Sequence, residues 1–161
     1  MTTPVAGEGS ADAYERLAEL GLTLPEAVPP LAAYVPAVQS GNYVYVSGQL
    51  PLVDGELPLT GKVGAEVAPE QAADLARICA LNALAAIEGL VGLGRLVKIV
   101  KLVGFVASAE GFTGQPAMVN GASNLFGDVL GEQGRHARSA VGVAELPLGA
   151  PVEVEVIAEI A

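Results

Sequence analysis

An arginine opens an otherwise apolar run near the C-terminal end of the chain: Arg138, in GRHARSAVGV (residues 134–143). A guanidinium carries five donors in a planar fork and keeps its charge in any protein environment. At the mouth of a buried strand such a group is paired, solvated or waiting for an anionic ligand. The anion that suits it is a carboxylate, held by two parallel charge-assisted hydrogen bonds. The bland alternative is an ion pair within the same sheet. If residues 138–146 and 151–160 form a hairpin in which Leu146 faces Pro151, Arg138 falls opposite Glu159. At this point both readings stand, and an exposed pair of that kind would contribute only about 0–1 kcal/mol.

Other residues could join such a site, though each has an ordinary reading beside the chemical one. Ser47-Gly48-Gln49 ends a strand and begins a loop; a glycine there lets backbone amides approach a ligand, or simply makes a turn. Tyr34 could offer its hydroxyl, yet tyrosine is common in strands. Asn120 lies within an apolar helix, where its amide needs partners unless it faces solvent. Cys79 on an alanine-rich segment reads as a small core residue. His136, just before the Arg138 strand, reads as a solvated or packing histidine. Gly92-Leu93-Gly94 lacks the spacing and context of a phosphate loop.

Composition removes several classes of chemistry. The chain has 161 residues, 52% of them hydrophobic and 16% charged, and a formal net charge of -10. Its eight basic residues are scattered, so no basic face for nucleic acid is expected. One cysteine and one histidine leave no multi-ligand metal cluster and no internal disulfide. No metal or organic cofactor is expected. The N-terminal stretch lacks a basic start and an apolar core of signal-peptide length, and no apolar run reaches membrane-spanning length. A cytoplasmic protein without membrane partners is expected. Apolar content this high at such low charge points to burial between subunits.

The elements that position these residues follow from periodicity and punctuation. Ser10-Ala-Asp12 caps a short helix through AYERLAELG, stopped at Gly21, and residues 1–10 before it are frayed. LTLPEAVPP is a proline-rich connector. Two strands follow in LAAYVPAVQSGNYVYVSGQLP, with a turn at Ser40-Gly41-Asn42. Pro69 opens a long alanine-rich helix. LVKIVKLVGFVAS, rich in valine, predicts a strand buried on both faces. A second helix crosses PAMVNGASNLFGDVLGE, and two strands over 138–146 and 151–160 close the chain. The last alternates strictly, valine against glutamate. The order β-β-α-β-α-β-β predicts an α+β domain with a mixed sheet and two main helices on one face.

Read together, four stretches resemble one known family. They are AYVPAVQSGNYVYVSGQLP (33–51), VKIVKLVGF (97–105), VNGAS (119–123) and ARSAVGVAELPLGAPVEVEVIAE (137–159). The sequence is similar to the YjgF/RidA reactive-intermediate deaminases, also called L-PSP endoribonuclease-like proteins, and to the subgroup with an added N-terminal helix. The resemblance divides the chain into an extension (1–30) and a family domain (31–161). It implies a fold like bacillary chorismate mutase and a homotrimer with ligand clefts between subunits. By the same resemblance Arg138 clamps a substrate carboxylate and Glu153 helps place an attacking water. Tyr34, Ser47, Gly48 and Asn120 line the pocket, and Ala140 stands where the family has a pocket cysteine. Two further departures adjoin them: Gly142 replaces a glutamate and His136 a proline. The activity implied is hydrolysis of enamines or imines of the 2-aminoacrylate type to 2-oxo acids and ammonia. The alternatives are a non-catalytic trimer that binds or senses 2-oxo acids, a trimer with an idle cleft, and an endoribonuclease.

Overall fold

Gly41 takes φ 58°, a value that costs glycine nothing, and it turns the chain between β1 (Ala37–Ser40) and β2 (Tyr43–Gln49) where the sequence predicts. The computed structural model describes residues 10–27 and 32–161. Of the frayed stretch expected over residues 1–10 all but Ser10, which belongs to the first helix, and of the connector expected over 22–30 the last three residues, lie outside them. The element order is α1 (Ser10–Glu19), β1, β2, α2 (Pro69–Leu90), β3 (Leu96–Ala107), α3 (Gln115–Leu130), β4 (Ala137–Val143) and β5 (Val152–Ile160). The result is α+β: one mixed five-stranded sheet with α2 and α3 on a single face.

The expected hairpin between the last two strands does not form. The sheet order is β1-β2-β5-β3-β4, so β3 separates β5 from β4. β4 returns through α3 to lie parallel to β3, as a strand-helix-strand crossover demands. Residues 144–151 then carry the chain around the end of β3, and β5 inserts antiparallel to both β2 and β3. The end of β3 records both neighbours: Ala107 N–H donates to Pro151 O at 2.9 Å and Ser108 N–H donates to Val143 O at 3.0 Å. The sequence reading set Arg138 opposite Glu159. In the structure Arg138 lies beside Leu102, and Glu159 lies between Tyr43 and Lys98, with Lys98 Nζ 3.8 Å from its carboxylate. The short PLGA segment looks like a hairpin turn in sequence, but its backbone is not one: Leu148 and Gly149 take φ 62° and 73° in a broad connection.

Alternation along β5 sends Val152, Val154, Val156 and Ala158 into the core beneath the helices. Leu102 and Val106 of β3 meet them there, with Leu75, Leu84 and Ile87 of α2 and Leu125 and Phe126 of α3. The other sheet face is open. Lys101, Val103 and Phe105 of β3 are only half-buried, so the expectation of burial on both faces is not met within one chain. Around them Tyr43, Tyr45 and Val141 are exposed.

α1 is a brace. Ala13 and Leu17 are buried, the helix packs on α3, and the Tyr14 hydroxyl donates to Glu88 at the end of α2 at 2.6 Å. The same Glu88 oxygen accepts from Leu93 N–H at 2.7 Å. The shared carboxylate, together with burial, raises the Tyr14 pKa.

The two main helices touch at backbone distance. A Cβ at Gly121 of α3 would fall on the Ala73 carbonyl of α2. Alanine is favoured over glycine in a helix by about 1 kcal/mol, but overpacking against main chain costs about 1–3 kcal/mol. Gly121→Ala is therefore expected to lower the unfolding free energy by up to about 2 kcal/mol, read from the denaturant midpoint. A rise in stability would show that the helices have room to separate.

Candidate functional site

Arg138 enters the structure on the helical side of β4, one residue past the strand's start, and its guanidinium reaches α3. Nη1 donates to Asn120 Oδ1 at 2.8 Å and to Ser123 Oγ at 3.2 Å, and Nη2 donates to Pro116 O at 3.3 Å. Three of five donors are thus spent, which fixes the plane of the group. Nε–H and one hydrogen on Nη2 remain, enough for a bidentate carboxylate. No carboxylate among the described residues forms an ion pair with Arg138. The structural-pair reading is thereby excluded among the described residues. The group instead lines an open cavity of about 410 Å³, together with Ser123, Gly127, Gly134, Arg135 and His136.

α3 is built to present these partners. Asn120 and Ser123 are three residues apart on one helix, hence neighbours on its surface. Behind them Val119 packs against β3, where Gly104 leaves the space that its side chain occupies. Asn120 is exposed, and Arg138 supplies the partner that its amide oxygen requires. Ser123 and His136 complete the cluster. Ser123 Oγ lies 2.9 Å from His136 Nε2, and His136 Nδ1 lies 2.6 Å from Gly134 O. A carbonyl only accepts, so Nδ1 carries the proton and Nε2 takes the serine's hydrogen. The imidazole also meets Phe126 edge to face at 5.9 Å. Sequence reasoning did not place Ser123 in the site and took His136 for a bystander. The three-residue spacing of Asn120 and Ser123 was the available signal.

The other expected site residues gather elsewhere. Ser47 and Gly48 lie where the pairing of β2 with β5 slips, between Val46 and Gln49. The Ser47 hydroxyl donates to Val35 O at 2.6 Å, and Ser47 N–H donates to Pro36 O at 2.8 Å. These bonds tie down the segment that carries Tyr34, which is 60% exposed. Glu153 projects from β5 on the open sheet face and folds over Gly48, occupying the volume a side chain there would take. It is half-buried, and its pKa is raised, first by desolvation and then by Glu155 nearby. Arg138 aligns with Val156 across β3, three residues along from Glu153 and on the opposite face of the sheet. One chain therefore holds two separate clusters: Arg138, Asn120 and Ala140 on one side, and Tyr34, Ser47, Gly48 and Glu153 on the other.

Both clusters lie within the stretch of the chain that matches a known family. A family model described as Endoribonuclease L-PSP matches residues 25–160. The chain belongs to that family, the YjgF/RidA family. The protein TCP17 of Trypanosoma cruzi, a family relative, is 45% identical over 146 residues, covering 89% of this chain and 91% of that one. The crystal structure of Atu1372 from Agrobacterium tumefaciens, a protein of unknown function, superposes with a TM-score of 0.88 at 48% identity and 94% coverage of each chain. E. coli TdcF with bound serine superposes with a TM-score of 0.61 at 28% identity, covering 84% of this chain and 94% of that one.

Two of the three departures from the family pattern now have a physical account. A side chain at 142 would run into Gln115, whose amide donates to Ser108 Oγ at 3.2 Å and Phe112 O at 2.8 Å. Gly142 thus lets the first turn of α3 close onto the sheet. His136 gives Ser123 a partner. Ala140 is half-buried against the core and brings no functional group.

The tight fit of Glu153 over Gly48 generates a test. Gly48→Ala should displace the carboxylate and cost about 1 kcal/mol, and Glu153→Ala in the same background should recover most of that cost. Denaturation of the four proteins of this cycle reads the coupling, and additive effects would show that the two residues do not share that space.

Proposed function

We propose that the protein hydrolyses enamines and imines derived from amino acids, of the 2-aminoacrylate type, to 2-oxo acids and ammonia, at clefts between the subunits of a cytoplasmic homotrimer. The observation that carries this reading is Arg138: a cation locked in place by α3, facing an open cavity, with two donors uncommitted. The two clusters support the inter-subunit cleft. A chain that keeps its carboxylate clamp and its Glu153 on opposite faces of a sheet can unite them only through a neighbour. The half-covered open face, with Tyr45, Val103, Val141 and Ile157, is suited to that packing. The relative TdcF binds serine, a small amino acid with one carboxylate. Cys79, a free thiol, suits a reducing compartment.

In this mechanism the enamine tautomerises to the imine, and water adds to the imine carbon. The oxygen forms the new bond, the nitrogen takes a proton, and the carbinolamine collapses with loss of ammonia. Arg138 holds the carboxylate, so the carbon under attack is presented in one orientation. Glu153 accepts a hydrogen from the water and aims its lone pair. Its raised pKa makes it a better proton acceptor than an ordinary carboxylate, as long as it is ionised. The reaction is downhill in water, so positioning carries most of the acceleration.

A ribonuclease reading, which the family's description carries, needs cations for phosphate. Here Arg16, Lys62, Arg77, Lys98 and Arg135 each face a carboxylate within 4.0 Å. With a net charge of -10, little field remains to draw a polyanion. A pure sensor of 2-oxo acids would use Arg138 in the same way, and turnover separates the two. In an assay that generates amino-acid imines in situ, the wild-type protein should shorten imine lifetime. Arg138→Ala should lose at least about 100-fold in rate, the scale of a charged hydrogen-bonded pair, while keeping its oligomeric state by light scattering. Equal rates for the two proteins would remove the catalytic role. Binding of 2-oxobutanoate without any turnover would establish the sensor.

A further inference from the structure

We propose that carboxylate binding at Arg138 is coupled to proton uptake by His136, with Ser123 as the group that turns from the histidine to the ligand. The inference rests on the reading that Arg138 holds a carboxylate, and it goes further by adding two residues and a proton to that site.

The chain of bonds is Gly134 O to His136 to Ser123 to Arg138, at 2.6, 2.9 and 3.2 Å. A serine hydroxyl has one hydrogen and two lone pairs. With His136 neutral, that hydrogen goes to Nε2 and a lone pair faces Arg138. Ser123 then lines the cavity but has no donor to give to a ligand. When His136 is protonated both ring nitrogens are donors. Nδ1–H stays on Gly134 O, and Nε2–H now points at Ser123 Oγ. Oγ accepts from the imidazolium and from Arg138, and its own hydrogen must turn into the cavity. A carboxylate there receives one more hydrogen bond and the field of a second fixed cation.

The surrounding charges make this coupling positive. From β4, Arg138 lines the same cavity as His136 and shares Ser123 with it. From its own connector it adjoins Arg135, whose guanidinium is 82% exposed and pairs loosely with Glu132 at 3.5 Å. α3 presents Ser123, Phe126 and Gly127, none of which titrates. No carboxylate among the described residues forms an ion pair with His136. An imidazolium in this setting lies beside two cations with no anion against it, until a ligand brings one. Proton and carboxylate therefore each favour the binding of the other, by the same factor.

His136 is the only histidine in the chain, so its ring protons give a single resolved NMR titration in the full-length protein. Addition of saturating 2-oxobutanoate, which stays ionised between about pH 5 and 8, is expected to raise the midpoint of that titration by about one pH unit. Calorimetry should show the reciprocal effect: roughly tenfold tighter binding at the acid end of the range, with a binding heat that varies with buffer ionisation enthalpy as proton uptake requires. His136→Gln should flatten the affinity profile, and Ser123→Ala should reduce its slope while the ring still titrates. Comparison with His136→Gln also removes any contribution from Glu153, which both proteins retain. An unmoved NMR midpoint overturns the coupling, as does an unchanged slope in His136→Gln. A full slope in Ser123→Ala overturns the role of the serine. Arg138→Ala distinguishes the layers. Undiminished binding in that variant sinks the carboxylate reading itself, whereas lost binding with a flat wild-type profile sinks only the coupling.

Discussion

The orientation of one guanidinium depends on how closely two helices and a sheet approach. Arg138 is held by Asn120, Ser123 and the Pro116 carbonyl, all on the first three turns of α3. That helix can lie where it does because glycines open three contacts: Gly121 against α2, Gly104 beneath Val119, and Gly142 beneath Gln115. Each is a place where a side chain would push α3 outward. A shift of a few tenths of an ångström matters little to a hydrophobic core, but hydrogen bonds weaken quickly with distance and angle. The small residues of α3 and its surroundings are best understood as the means of fixing a charge.

Much of this arrangement is legible in the sequence. Pro69 marks the start of α2, Gly41 the hairpin, and the valine-glutamate alternation of β5 its buried and open faces. Arg138 announces itself because a charge in an apolar run needs an explanation. The neighbour order of the last strands is not legible in the same way. A short loop with proline and glycine reads as a hairpin, and only the requirement that α3 cross over β3 forces β4 parallel and leaves room for β5. The erroneous pairing mattered, because it supplied Arg138 with a partner, Glu159, that faces Lys98 instead.

The cluster around His136 shows a second limit. Asn120 and Ser123 share a helix face, which spacing predicts. That the face meets Arg138, and that His136 stands behind Ser123, depends on the short 3-10 turn at Gly131–Gly134 and on its approach to α3. A Cβ at Gly134 would strike the Phe126 carbonyl, so this turn is pressed against the helix. Through-space contacts of this kind carry no local periodicity, and a lone histidine in a loop gives no warning of them.

The brace formed by α1 has a consequence for how the domain breathes. It is attached through Ala13, Leu17 and the Tyr14–Glu88 bond, a small buried area compared with the α2–α3 seam. Its release costs less free energy than opening the core, so it can detach while the rest stays folded. Amide protons of α1 then exchange with solvent ahead of those in α2 and β3. Each such event strips a packing neighbour from α3, the helix whose exposed residues Pro116 and Asn120 hold the guanidinium, so the clamp leans on a segment that forms no hydrogen bond to it.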